Sequence, residues 1–240
     1  MNYLMGLFTT VLNMSVTASY VVVGVLLVRL GLQKSPKILS YALWAVVLFR
    51  LVCPFSFSLP FSALGLLSAG TPNGGVAHYV PRDILYMPTP AINTGVNLVD
   101  NAVNQALPQA VPAASVNPMQ VWMTIFSVVW VAGILALLVY SVISYVKLKG
   151  RLQTATRVRD NIYESDQIGT AFVCGFIRPN IYVPTGVKDT DLPYILEHER
   201  THIRRRDYLV KPLASLALAL HWFNPLMWLS FRLLTRDMEM

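Results

Sequence analysis

Charge is scarce in this chain. Asp, Glu, Lys and Arg make up 13% of its 240 residues, against about 25% in an ordinary soluble domain. Hydrophobic residues make up 55%, and the mean hydropathy is +0.51. That balance excludes a wholly water-exposed globule and points to an integral membrane protein. Cysteine is scarcer still, with Cys53 and Cys174 alone. Two such distant residues exclude a Cys-rich metal site. The topology derived below puts them on opposite sides of a bilayer, so no disulfide is expected. No internal repeat is visible. The first apolar run lacks a basic start and a small-residue cleavage site, so it is expected to stay as an anchor rather than be removed. The net charge of +7 would suggest nucleic acid in a soluble protein. Here it fits the positive-inside bias of a membrane protein, and direct nucleic-acid binding is not expected.

Long apolar runs are what the chain has in abundance. Leu4 to Val28 carries no charge and is long enough to span about 30 Å of hydrocarbon. Its Asn13, Ser15, Thr17 and Ser19 are small polar residues suited to helix packing in lipid. A basic turn with Arg29, Lys34 and Lys37 follows. A second span is expected from Ile38 to Phe57, with Arg50 snorkelling to the nearer interface. Residues 1–58 thus read as two spans. Residues 59–118 are rich in Pro, Asn, Ala, Val and Gly, with Arg82 as their one basic side chain. So few cations suit the outside, and a short helix is expected near Asn97 to Ala106. Residues 119–146 form a third span. Then 11 of the 19 Lys and Arg fall between Lys147 and Arg206. The expected topology is a multi-pass protein of the cell membrane, N-terminus outside, with residues 147–240 forming a cytoplasmic domain.

Within that domain, Asn161 to Glu164 and Ala171 to Pro184 read as strands, the latter with a Gly-to-Pro break like a hairpin turn. Asp189 or Thr190 is expected to cap the next helix, with Pro193 in its first turn. On that helix lies His198-Glu199-x-x-His202. At this spacing the two His sit one turn apart on one face and can grip a zinc ion. Glu199 stands where a general base for hydrolysis would stand. The five-residue pattern also arises by chance on surface helices, so the context has to support it.

A zinc peptidase needs a third protein ligand. Six residues after His202 stands Tyr208, which excludes the metzincin arrangement. The gluzincin arrangement takes a carboxylate from a later helix. Asp207 reads as a cap of the following helix, which leaves Asp237 and Glu239. Between them and the motif lies the apolar stretch 208–234. A single crossing would put both carboxylates on the wrong side. The turn signal His221-Trp-Phe-Asn-Pro225 divides the stretch into two arms too short to span, so a re-entrant or membrane-surface helical hairpin is expected. His221 reads first as an interfacial residue at the tip, and second as a transition-state hydrogen-bond donor. Tyr194 and Tyr208 are weaker candidates for that role.

Four segments together resemble the BlaR/MecR-type membrane metallopeptidases. They are Thr170-Ala-Phe-Val-Cys-Gly-Phe-Ile-Arg-Pro-Asn-Ile-Tyr-Val-Pro184, His198-Glu-Arg-Thr-His202 with Ile-Arg-Arg-Arg-Asp207, His221-Trp-Phe-Asn-Pro-Leu-Met-Trp228, and Arg236-Asp-Met-Glu239. The resemblance implies His198, His202 and Glu239 as zinc ligands and Glu199 as the catalytic base. In the family an Asp usually stands four positions beyond the third ligand, past the last residue here. The implied fold is mainly α-helical, with three transmembrane helices and a small α+β zinc domain of gluzincin type bearing the hairpin. The implied activity is zinc-dependent endopeptidase action in signalling, as in antibiotic resistance. Its partner would be a cytoplasmic regulatory protein such as a transcriptional repressor, or the chain itself. A homodimer is kept open. Members that sense β-lactams continue with a further span and an extracellular penicillin-binding domain, and these 240 residues correspond to the portion ahead of it. The strand near Ile181 to Val183 is expected to pair with an extended substrate. Two readings compete: a non-catalytic receptor or scaffold with a structural zinc site, which needs a fourth ligand, and a transporter with a chance motif, which sparse intramembrane charge and the lack of repeats disfavour.

Overall fold

The computed structural model describes residues 2–31, 37–52, 79–81, 84, 87, 89–108 and 117–239. They form seven helices and four strands: α1 (Asn2–Gly31), α2 (Lys37–Val52), α3 (Asn97–Ala106), α4 (Pro118–Arg151), β1 (Thr156–Arg159), β2 (Ile162–Ser165), β3 (Phe172–Cys174), β4 (Asn180–Pro184), α5 (Leu192–Arg204), α6 (Asp207–Leu220) and α7 (Pro225–Met238). Two of these helices, α1 and α4, are long and apolar enough to cross a membrane. The described part of α2 has 16 residues, and the rest of the expected second span, with Cys53, lies outside the described residues. The short helix expected near Asn97 is present as α3. The chain divides into two compact units.

The first unit holds residues 1–133 and 221–227. The small polar residues of α1 make specific bonds here. The Asn13 amide donates to the Val80 carbonyl at 3.0 Å and accepts from the Val80 N–H at 2.8 Å. Asn224 donates to the hydroxyls of Ser15 and Ser19, both at 2.8 Å, and its Oδ1 accepts from the Leu226 N–H at 2.9 Å, capping α7. In a low-dielectric setting such bonds fix which faces meet, because an unmet polar group would be costly there. His221 is fully buried, with Nε2 3.3 Å from the Leu51 carbonyl. His221 does stand at the turn between the two arms, and its ring is buried rather than exposed. Beside it, the Trp222 indole donates to the Trp130 carbonyl at 3.2 Å and lies flat over Gly133, where a Cβ would come within 2.3 Å of the ring.

The second unit holds residues 134–220 and 228–240. Its sheet has the order β1-β2-β4-β3: β1 and β2 antiparallel, β2 and β4 parallel, β3 and β4 antiparallel. The hairpin read in Ala171–Pro184 is β3 turning into β4. Gly175 makes that turn at φ +121°, where a Cβ would lie 2.4 Å from the Arg178 carbonyl oxygen, so only glycine fits. β4 is an interior strand, with Ile181 and Val183 buried. Both its edges are paired, so it cannot accept a further strand. The expectation that substrate pairs near Ile181 is therefore corrected: β4 is interior, and the edge strand beside it is β3. The helix α5 begins at Asp191 without a side-chain cap and carries Pro193 in its first turn, so neither Asp189 nor Thr190 caps it. The arms α6 and α7 lie either side of a turn at 221–224, where the Asn224 N–H bonds back to the His221 carbonyl.

Candidate metal centre

His198 and His202 lie one turn apart on α5, as their spacing dictates. Their Nε2 atoms face each other at 3.2 Å. Glu239, just past the end of α7, brings Oε2 to 4.0 Å from the His202 Nε2. One ligand atom from each of the three lies within 4.8 Å of the others. The hairpin is what makes this possible. Lys211, in the second turn of α6, donates to Glu239 Oε1 at 2.7 Å, which ties the end of one arm to the start of the other. A tetrahedral zinc ion with bonds of about 2.0–2.2 Å sets its ligand atoms about 3.3–3.6 Å apart. The His pair meets that spacing already, and a small rotation of Glu239 brings it in.

The surrounding groups prepare the ring nitrogens for a cation. Asp207, buried at the start of α6, stands 2.7 Å from His202 Nδ1. A carboxylate there accepts the Nδ1–H and leaves Nε2 as a bare lone pair. Two imidazole nitrogens at 3.2 Å repel unless a proton or a cation lies between them, so the donor set fits a metal ion. Asp207 was read as a helix cap. The structure gives it a further role at the head of α6: its carboxylate faces His202, with the Arg205 guanidinium 3.7 Å away. The acidic partner lies five residues past the ligand, a signal present in the sequence but shared with ordinary caps. Lys211 was missed altogether, since a lone lysine in an apolar arm looks like a snorkelling residue. Its hydrogen bond holds the Glu239 carboxyl below the usual range.

Glu199 is buried on the inner side of α5, and burial pushes its carboxyl above the ordinary value, partly offset by His202 and His198. It separates two clefts. One, of about 270 Å³, is lined by Phe172, Val173, His202, Tyr208, Lys211 and Glu239 along with Glu199. The other, of about 540 Å³, is lined by Pro184, Val187, Tyr194, Ile195 and His198 along with Glu199. Thr170 and Ala171, leading into the edge strand β3, border both. Tyr208 and Tyr194 therefore each border one cleft, whereas His221 belongs to the other unit. The arrangement offers three convergent metal-binding atoms, the buried carboxyls of Glu199 and Asp207 beside them, and the edge strand β3 lining the cleft.

Comparison with known proteins agrees with this geometry. The methicillin resistance mecR1 proteins of Staphylococcus aureus and Staphylococcus epidermidis are each 29% identical over 79 residues, covering 31% of this chain and 14% of theirs. The regulatory protein BlaR1 of Bacillus licheniformis is 24% identical over 138 residues, covering 48% of this chain and 23% of its own. The chain thus spans less than a quarter of the length of these curated relatives. A family model, BlaR1 peptidase M56, matches residues 9–240. With nearly all of its length under that one model, this chain belongs to the M56 peptidase family.

Proposed function

We propose that the chain is a membrane-embedded zinc endopeptidase that cuts a regulatory protein, or itself, on the cytoplasmic side. The observation that carries this reading is the convergence of His198, His202 and Glu239 beside the buried Glu199. When bound, zinc supplies Lewis acidity, which polarises a peptide carbonyl and acidifies water. The chain supplies the rest. Asp207 holds His202 in the tautomer that presents Nε2, and Lys211 leaves Glu239 Oε2 free to face the ion. The Glu199 carboxylate takes the proton of the attacking water and hands it to the leaving nitrogen. An extended substrate pairs with the free edge of β3 and places side chains in the two clefts on either side of Glu199.

A closed structural zinc site would need a fourth ligand. Among the described residues the cluster holds three, which favours a site with an open position. The density of Lys and Arg after α4 supports a cytoplasmic centre with the N-terminus outside, and this reading takes α2 as the start of a further span and the tip of the α6–α7 hairpin as re-entrant. The names of the relatives tie them to regulation and methicillin resistance. A repressor-like cytoplasmic protein is the substrate class that fits.

The test is zinc content together with cleavage, for wild type and Glu199→Ala in nanodiscs. Cleavage is read on the chain itself and on a mixed-sequence fluorogenic peptide pool. The expected result is retained zinc with activity down about 10²–10⁴-fold. Unchanged cleavage in the variant refutes the assignment of Glu199.

A further inference from the structure

The turn between β3 and β4 exposes its apolar residues. Ile177 is 92% exposed and Phe176 53% exposed. This is not a floppy loop. Gly175 holds a conformation only glycine adopts easily, and the Asn161 amide donates to the Pro179 carbonyl at 3.2 Å, bracing the turn against β2. A fixed turn that shows two large apolar side chains to water wastes them, unless something apolar covers them.

The position of the turn says what that is. The Phe176 ring lies 6.3 Å from the ring of Tyr145, near the end of α4. Around Tyr145 the helix is still apolar and outward-facing, with Val142 61% exposed and Val146 60% exposed. The basic end follows at once: Lys147, Lys149 and Arg151. At 1.5 Å per residue, Tyr145 sits about 3–9 Å along the axis from those cations. That is where interfacial aromatic residues stand, at the boundary between acyl chains and headgroups. The contact with Tyr145 places the turn at the same depth. Charge fits as well: Arg178 follows Ile177, and no acidic residue occurs from Pro118 to Arg159 or from Gln167 to Lys188.

We propose that Phe176 and Ile177 form a wedge that inserts into the lipid interface at the end of α4 where the sheet lies. Lys149 and Arg178 flank it toward the phosphates. The wedge lies at one end of the β3–β4 hairpin, and the cleft residues Thr170 to Val173 lie toward the other. At about 3.3 Å per strand residue, the wedge sets the cleft roughly 10–20 Å from the inserted tip. The proposal stands on the membrane helix and the sheet alone, and does not depend on the peptidase reading.

The test is spin-label accessibility in the full chain reconstituted in nanodiscs of phosphatidylglycerol and phosphatidylcholine. A background of Cys53→Ser and Cys174→Ala carries one label at a time, at 177, at 146 as the lipid reference, or at 166 as the water reference. Asp166 is exposed and follows Ser165, which pairs with Pro184 at the sheet end away from the turn. Ile177 is so exposed that its replacement is expected to leave the fold intact, to be checked by circular dichroism. The expected result at 177 is high oxygen and low nickel-chelate accessibility, as at 146. Nickel-chelate accessibility equal to that at 166 overturns the proposal. So does low accessibility to both reagents, which would mean that protein covers the turn. Ile177→Asp gives a second reading without a label. It should shift the label at 146, or the Tyr145 environment in a Tyr145→Cys label, toward water, and no shift at either position counts against the wedge.

Discussion

Replacing Asp207 tests the metal centre more sharply than replacing a ligand. Its carboxylate stands 2.7 Å from His202 Nδ1 and is buried. In Asp207→Ala the ring loses a charge-assisted hydrogen bond, which is about 1.5–3 kcal/mol. His202 also loses what fixes its tautomer and orientation, an effect seen in metal sites as a 10–100-fold drop in affinity, or about 1.4–2.7 kcal/mol. The two routes agree, so zinc dissociation is expected to rise about 10–100-fold. Asp207→Asn keeps an acceptor of similar shape without the charge and should lie between. The assay is competition with a fluorescent zinc chelator on the purified chain, with far-UV circular dichroism to show that α5 and α6 are retained. An affinity within about threefold of wild type for the alanine variant, with the fold intact, refutes the orienting role.

Gly133→Ala drives a methyl into the Trp222 ring and should cost about 1–3 kcal/mol in detergent unfolding. Gly150→Ala meets nothing within 4 Å and should be neutral or slightly stabilising, so equal effects would contradict the packing. Burial pushes the Cys174 thiol up, so less of the reactive thiolate is present at neutral pH. Iodoacetamide should label it more slowly than free cysteine at pH 7.5 and faster as pH rises, and mass mapping that shows free-cysteine rates refutes the shift. An Arg236→Cys label should react with impermeant maleimide only from the cytoplasmic side, and reaction from outside alone ends the hairpin topology.

The site was legible where one local period governed it. His198 and His202 share a helix face because four residues make about one turn, and the Asn224-Pro225 turn was legible because both residues act on their own backbone. The sheet was less so. β1 is short, wholly exposed and cation-rich, so it shows no alternation to read. Which strand lies at the edge is decided by β2 pairing in parallel with β4, a contact between residues 19 apart, such as Ile162 and Ile181. Asp207 illustrates the same limit within the site. An acidic residue at a helix start serves as a cap or as a ligand's partner, and only the fold shows which nitrogen it faces. Glu239 needed the hairpin before any distance to His202 could be assigned.

The three ligand positions differ greatly in when they become available. His198 and His202 are in place as soon as α5 winds, whereas Glu239 lies 37 residues beyond His202 and arrives only after α6 and α7 have folded back. A chain leaving the ribosome therefore carries a two-histidine half-site, weak for zinc and without a complete metal shell, until α7 has docked. Folding of the α6–α7 hairpin thus acts as a licence. On the proposed reading, hydrolysis waits on a folding event: the third ligand is delivered by the return of α7, not by the helix that carries the first two.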